Sequence, residues 1–461
     1  MSSMNTELKW SKYNFLFNSE KFGHLLYNSL SNCFFAVDEE VFPEINSIRN
    51  QPEAYDFSSQ PELFFQLHGA KIVLSERDEE NAINVIKLQR SFIRYNSEGL
   101  LLSLAPTRGC NFNCSYCYEK DRRPVRMDER VEDGIIAFIE RFHGIRYLSI
   151  VWYGGEPLLE FDTIRRLTRK IQGLKLPFAA DMTTNGYLLT PQVASELEEL
   201  KVKNLQIAID GTREVHDTRR VLMNGGPTYD RIMQNIDNLV TVWKGKIHFR
   251  VNVDRQNRDN YFPIYRALHE RFQGKRIDVY PGLVRSAAGV NPDLDCHMGR
   301  LEASQLAVDM FKEVLSKADT VKPDDISRYY PQARFSGCTA NMKNFYVIGP
   351  SGEIYKCWHD IGIEKMTLGT IFDEQLQNVE VVANYMVATD PFDDPECRQC
   401  SYLPVCTGGC PQLRYEKKFN KIDHDSCTKF RDRLPELLEI YYHMKQSARK
   451  DCAKTTGQPK E

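Results

Sequence analysis

The stretch Arg108-Gly-Cys-Asn-Phe-Asn-Cys-Ser-Tyr-Cys-Tyr118 sets three thiols, Cys110, Cys114 and Cys117, at a C-x3-C-x2-C spacing directly after the apolar run Leu100 to Leu104. A complete cysteine set closes an iron–sulfur cluster for electron transfer or structure. Three ligands on a four-iron cluster leave one iron open, and an open iron can bind and activate a small molecule. The spacing therefore points to chemistry at a metal. The competing reading is a zinc knuckle or redox thiols, although zinc sites usually pair one C-x2-C with a second or with histidines.

From Asn96 to Lys317 strands and helices alternate around this loop. Expected strands are Leu100–Leu104, Tyr147–Trp152, Phe178–Thr183, Asn204–Ile209, Lys246–Val253 and Arg276–Tyr280. Amphipathic stretches lie between them: Glu132–Phe142, Thr163–Ile171, Pro191–Lys201, Tyr229–Val242 and Tyr261–Phe272. Six β-α units of this length predict a parallel sheet with outer helices, curled by right-handed crossovers into a partial (β/α)6 TIM-like barrel. Ligands gather at the carboxyl ends of such strands, where the cysteine loop falls.

Upstream, Tyr13–Phe17, Gly23–Asn28 and Asn32–Val37 are short aromatic and β-branched runs that predict a small antiparallel meander. Asp38 caps an expected helix Glu39–Arg49, Pro61–Leu67 opens another, and Ala70–Leu74 follows as a strand. Downstream, Cys338 to Cys427 is loop-rich, with seven cysteines at ligand-like spacings: Cys338, Cys357, Cys397, Cys400, Cys406, Cys410 and Cys427. Such a stretch cannot fill a large apolar core, so bound metal must supply much of its order. Leu434–Ser447 predicts a short helix before the polar tail Ala448–Glu461.

The 461 residues are long for a single core and point to two or three domains. Net charge is −3 with both signs interspersed, which leaves no electrostatic footprint for nucleic acid or an anionic membrane. No secretion signal or membrane-length apolar stretch is present, so the thirteen cysteines read as reduced metal ligands in a soluble, cytoplasmic protein.

Beyond the cysteine loop, Tyr153-Gly-Gly-Glu-Pro157 follows the second strand, Thr183-Thr-Asn-Gly-Tyr187 ends the third, and Gln206-Ile-Ala-Ile-Asp-Gly211 ends the fourth. With the aromatic Tyr116 before the last cysteine, these segments resemble the radical S-adenosylmethionine (SAM) superfamily. The resemblance implies that Cys110, Cys114 and Cys117 hold a SAM-binding [4Fe-4S] cluster. It also implies that Gly154, Gly155, Glu156 and Pro157 hold the amino group of the cofactor's methionine part. The family often has serine where this chain has Ala208, so the ribose contact falls to Thr184, Asn185 or Asp210. Arg250 on the fifth strand is suited either to the cofactor carboxylate or to a surface charge.

Cysteine by cysteine, the last block is similar to the SPASM extension, which carries auxiliary four-iron clusters. By that resemblance Cys397, Cys400, Cys406 and Cys427 bind an outer cluster, and Cys338, Cys357 and Cys410 an inner one. The inner cluster's fourth ligand is Cys296, substrate or water; Cys33 and Cys452 read as ordinary thiols. The N-terminal order of strands and helices resembles the winged-helix leader-peptide recognition domain of peptide-modifying radical enzymes, whose sheet edge can accept an added strand. A cap over the barrel is the alternative.

The resemblances together imply a leader-recognition domain at 1–95, a radical SAM core at 96–320, a SPASM domain at 330–433 and a C-terminal helix and tail at 434–461. They imply three [4Fe-4S] clusters, SAM, an electron donor such as flavodoxin or ferredoxin, and a precursor peptide as substrate. The expected reaction begins with cleavage of SAM to a 5'-deoxyadenosyl radical and hydrogen abstraction from the peptide. It ends in a cross-link, as a thioether or carbon–carbon bond. Two alternatives are an anaerobic sulfatase-maturating enzyme that forms formylglycine and a zinc-binding protein-interaction scaffold. The sulfatase maturases commonly have Asp directly after the cysteine at position 357, whereas here Trp358 and His359 precede Asp360.

Overall fold

Alternation along the central strands dictates a sheet with two unlike faces. In Lys246–Val253 the side chains of Ile247, Phe249 and Val251 are buried, while His248 and Arg250 between them are half-exposed. The same period of two runs through Val202–Ala208, where Leu205 and Ile207 are buried and Asn204 and Gln206 are not. One face thus packs on helices and the other is polar. The computed structural model describes residues 8–119, 124–284, 296–316, 330–331, 335, 337–406, 408–427 and 431–456, with side chains to residue 447.

The chain begins with β1 (Leu8–Trp10), β2 (Asn14–Ser19), β3 (Gly23–Asn28) and β4 (Cys33–Val37). Helices α1 (Phe42–Asn50) and α2 (Pro61–Gly69), strand β5 (Val73–Ser75) and the long helix α3 (Glu76–Arg94) follow. The expected meander is the antiparallel sheet β2-β3-β4, whereas β1 pairs with β5 in a separate ribbon. Helix α1 starts at Phe42 rather than Glu39, because Asp38 contributes its carbonyl to the N–H groups of Val41 and Phe42 and Val41 takes the cap position. The strand expected at Ala70–Leu74 is only Val73–Ser75. Helix α3 was not anticipated, though Ser75 accepts from the N–H of Asp78 as an ordinary N-cap.

The core alternates as expected: β6 (Gly99–Leu104), α4 (Glu129–Glu140), β7 (Tyr147–Trp152), α5 (Phe161–Gly173), β8 (Phe178–Thr184), α6 (Pro191–Glu196) and β9 (Val202–Ala208). Then come α7 (Arg213–Arg219), α8 (Tyr229–Val242), β10 (Lys246–Val253), α9 (Tyr261–Arg271), β11 (Ile277–Leu283) and α10 (Arg300–Leu315). Strands β6 to β11 are parallel neighbours in sequence order, as right-handed β-α-β crossovers require. Helix α6 stops at Glu196, short of the expected Lys201, because the chain must turn back through Lys201 at φ 60° to enter β9.

The sheet does not end with the β-α units. Strand β12 (Phe345–Ile348) lies parallel to β6, and β13 (Ile354–Tyr355) completes eight strands in the order β11-β10-β9-β8-β7-β6-β12-β13. The cysteine-rich block is therefore grafted onto the edge of the core sheet. The C-terminal helix runs from Leu434 to Thr456, longer than expected, and packs on α10 through Leu437, Ile440 and Met444. The chain beyond Thr456 and the side chain of Cys452 lie outside the described residues. Among the described residues no helix is long and apolar enough to cross a membrane.

Helix α3 ties the N-terminal unit to the cysteine-rich block. Arg94 is 3% exposed and pairs with Asp390, while donating also to the carbonyls of Met386 and Asn341. Arg94→Met strands the Asp390 carboxylate in the interior, and loss of one partner of a buried pair costs about 3–5 kcal/mol. Urea unfolding of the iron-loaded protein should show that loss. Lys87→Ala, which removes only the exposed pair with Asp393, should cost at most about 1 kcal/mol.

Candidate functional site

The site is built where β6, β7 and β8 end. Beyond β7, Gly154 adopts φ 121°, and a Cβ on Gly155 would overlap the carbonyls of Arg108 and Gly109. The glycines are thus required because the entry to the cysteine loop lies directly on them. The N–H of Glu156 donates to the Gly109 carbonyl at 2.9 Å, and the N–H of Gly155 to that of Thr107 at 3.2 Å.

The Glu156 side chain is fully buried and is satisfied by protein alone. Its Oε1 accepts from the Leu158 N–H at 3.0 Å and from Thr184 Oγ1 at 2.7 Å, and its Oε2 from the Asn185 N–H at 2.7 Å. Burial pushes this carboxyl up, and those three hydrogen bonds oppose the shift. Asn185 Nδ2 in turn donates to Asn111 Oδ1 at 2.7 Å, inside the cysteine loop. Thr184 and Asn185 are therefore committed to Glu156 and to the loop. Pro157 starts the short 3-10 turn Pro157–Glu160 behind them.

The far side of the loop is held by a segment to which sequence reasoning assigned no role. Phe112 forms a β-bridge with Leu222, Asn113 N–H donates to the Val221 carbonyl at 2.8 Å, and Met223 N–H donates to the Asn111 carbonyl at 3.0 Å. From this segment Arg220 donates to the Tyr116 hydroxyl at 2.6 Å, and Tyr116 donates to Asp210. Asn252 Nδ2 reaches both Tyr116 Oη and Asp210 Oδ1 at 3.0 Å, and Arg219 pairs with Asp254 at 2.8 Å. Burial disfavours the Arg220 charge, but Cys114, Tyr116 and Asp210 around it hold its pKa well above the ordinary value. In sequence, adjacent arginines after a helix cannot be told from a solvated pair.

Asp210 is thereby enclosed by Tyr116, Asn252 and Arg219. Arg250 lies on the polar sheet face, with Nε donating to Asn252 Oδ1 at 2.9 Å. Along that face Asn204 bonds Asp181 at 2.7 Å, Tyr280 bonds Gln206, and His248 meets Asp278 at 3.3 Å.

Within the cysteine loop and within the C-terminal block, thiols lie within electrostatic reach of one another. Cys110 feels the charges of Cys114 and Cys117 and is pushed up to about 12, with burial the largest cause. Cys357 is influenced by Cys410 and Cys338, and Cys397 by Cys406; Arg431 faces both Cys427 and Cys400. Cys296 stands apart, its thiol bonded to Asp254 near Arg219. Among the described residues no group of three His, Cys, Asp or Glu could hold a single metal ion.

Two aromatic stacks link the C-terminal block to the cysteine loop and the end of β7, and neither was expected from the sequence. Trp358, next to Cys357, stacks on Tyr153 with centroids 4.9 Å apart, and His359 stacks on Tyr118, next to Cys117, at 4.1 Å. Tyr118 Oη and Trp358 Nε1 are buried without a hydrogen-bond partner among the described residues. Orphaned donors are costly in an interior. Together with thiols that burial disfavours as free thiolates, they fit a site completed by iron–sulfur clusters and a polar cofactor.

Residues 104–267 match the radical SAM superfamily. The mycofactocin maturase MftC of Mycobacterium tuberculosis is 24% identical over 354 residues, covering 72% of this chain and 83% of that protein. The cysteine-type anaerobic sulfatase-maturating enzyme of Clostridium perfringens is 22% identical and covers 75% of this chain and 99% of its own length. Among solved structures, Streptococcus suis SuiB bound to the precursor peptide SuiA superposes with a TM-score of 0.54 at 16% identity, over 91% of this chain and 99% of that one.

Gly155→Ala should drive the cysteine loop off the end of β7. The expected outcome is loss of about four irons from the reconstituted protein and loss of SAM binding by calorimetry, with far-ultraviolet circular dichroism unchanged.

Proposed function

We propose that this chain, a radical SAM enzyme resembling the peptide and protein maturases, installs a thioether or carbon–carbon cross-link in a precursor peptide. Cys110, Cys114 and Cys117 would hold the SAM-binding cluster, Cys338, Cys357 and Cys410 an inner auxiliary cluster, and Cys397, Cys400, Cys406 and Cys427 an outer one. When bound, SAM at the open iron supplies a 5'-deoxyadenosyl radical able to take hydrogen from an unactivated carbon.

The protein's own groups position and enclose. Because the Glu156 carboxylate already accepts three hydrogen bonds, its role is to position the cysteine loop, and the backbone carbonyls beside Gly154 and Gly155 are left to receive the cofactor's amino group. Arg250, with guanidinium nitrogens beyond the one given to Asn252, suits the cofactor carboxylate. Asp210 and Tyr116 brace the loop from the other side, and Asp210 retains capacity toward a ribose hydroxyl only through Oδ1 or Oδ2 lone pairs already shared with protein donors. The polar face of the sheet would give an extended peptide hydrogen-bonding partners.

The observation that carries the peptide-maturase reading is the N-terminal sheet. Among the described residues, β4 pairs with β3 and presents its other edge unpaired. An extended leader can add there as a fourth strand. The sulfatase-maturating relative is matched over nearly its whole length yet leaves a quarter of this chain uncovered. The Trp358-His359 insertion ahead of Asp360 favours cross-linking over formylglycine formation. All-thiol groups without histidine support iron–sulfur over zinc.

Co-expression with a candidate leader-bearing precursor peptide, followed by mass spectrometry, tests the reading. A cross-link removes two hydrogens and leaves nothing that hydrazine traps, whereas formylglycine is trapped as its hydrazone. The leader-bearing peptide should be processed and a leaderless one spared; equal processing of both makes the N-terminal unit a cap. Removing residues 1–95 is a poor test, since it takes Arg94 from Asp390.

Replacing Cys110, Cys114 and Cys117 by alanine should abolish 5'-deoxyadenosine formation while about eight of about twelve irons remain. Retained cleavage under reducing conditions would place SAM activation elsewhere.

A further inference from the structure

The two thiol groups of the C-terminal block sit in unlike electrostatic surroundings. Around Cys397, Cys400, Cys406 and Cys427 three arginines converge from three separate parts of the chain. Arg414 Nη1 donates to Cys397 Sγ at 3.4 Å, held in place by its other nitrogens on the Thr389 carbonyl and Asp394 Oδ2, both at 2.8 Å. Arg431 Nη1 donates to Cys427 Sγ at 3.0 Å and also faces Cys400. Arg90, 4% exposed on α3 and laid over the Phe392 ring, lies within electrostatic reach of Cys406.

Among the described residues Cys338 and Cys357 have no such set of arginines. The nearby cation is Lys356, whose Nζ is already bonded to the carbonyls of Met342 at 2.6 Å and Phe345 at 2.8 Å. Against it stands Asp360, which acts on Cys357 and accepts from Tyr385 Oη at 2.9 Å. One group of thiols thus receives charged N–H donors at sulfur, whereas among the described residues the other receives neutral backbone donors, Ala340 at Cys338 and His359 at Cys357, beside a lysine and a carboxylate of opposite sign.

Charge and hydrogen bonds at sulfur set a cluster's reduction potential, because each donor stabilises the extra negative charge of the reduced form. Resting on the auxiliary-cluster reading above, we propose that Arg414 and Arg431 poise the outer cluster at a more positive potential than the inner one, which makes the outer cluster the exit for the electron taken from the substrate radical. In that step one electron leaves the reduced inner cluster and enters the oxidised outer cluster, with no atom or proton transferred. A one-electron carrier of the ferredoxin or flavodoxin type then accepts it. Cys427 and Arg431 are both exposed, so this edge is open to such a carrier.

The test is potentiometric titration of the reconstituted holoenzyme, followed by electron paramagnetic resonance. A Cys400→Ala, Cys427→Ala variant identifies the outer signal by its loss. In the wild type that signal should appear at higher potential than the inner one. Arg431→Gln should shift it negative by about 59 mV, a tenfold change in the inner-to-outer equilibrium constant for one electron, with unchanged iron content. Arg431→Lys should fall between the two. Arg431 is exposed, so its replacement does not depend on the anchoring that Arg414 gives to Asp394. An outer midpoint at or below the inner one, or an unmoved midpoint in Arg431→Gln at full iron, overturns this inference alone. A wild-type iron content near four removes the auxiliary clusters, and the inference with them.

Discussion

A buried carboxylate must find all its donors within the protein, and Glu156 finds them on two elements, the turn that follows β7 and the end of β8. Its backbone N–H donates to the Gly109 carbonyl, and its carboxylate oxygens accept from Leu158, Thr184 and Asn185. The end of β7, the end of β8 and the root of the cysteine loop are therefore locked to one another. Leaving any of these groups unmatched would cost about 1–3 kcal/mol, so the arrangement holds the loop even before metal is considered. The glycine pair ahead of Glu156 is the steric counterpart of the same constraint.

A second polar knot grips the loop from the opposite side. Tyr116, Asp210, Arg220 and Asn252 come from the loop, β9's end, the turn after α7 and β10. His216 sits beneath them, buried and held well below its ordinary pKa by burial and by Arg220 and Arg219, so it stays neutral and serves as a hydrogen-bonding strut to Thr228. Between the two knots the three thiols present themselves at the mouth of the sheet. The polar face of β8 to β11 runs away from that mouth.

The cysteine-rich block is joined to the core by continuous structure. Strand β12 lies against β6 in the same sheet, and the Tyr153–Trp358 and Tyr118–His359 stacks set Cys357 and Cys117 on either side of the same opening. Helix α3 reaches the block from the N-terminal unit through Arg90 and Arg94. The N-terminal unit, the core sheet and the thiol-bearing segments therefore belong to one connected framework.

Much of this was legible along the chain because the signals are local. Period-two and period-3.6 patterns marked all six parallel strands and their helices, and thiol spacing marked each cysteine loop. Missed elements had a different character. Helix α3 carries Val85, Leu88 and Phe92 exposed, which blurs its amphipathic pattern, and β12 is buried throughout, so neither shows a clean period. Spacing and composition alone determined the β-α order and the glycines at the strand ends, since each depends on neighbours a few residues apart. Which arginine meets which sulfur, why Thr184, Asn185 and Asp210 are spent on the protein, and that Trp358 lies on Tyr153 were decided only in three dimensions. Apart from Arg431 and Cys427, which are four residues apart, those contacts join residues distant in the chain, and a buried hydrogen bond leaves no period in the sequence by which to find its partner.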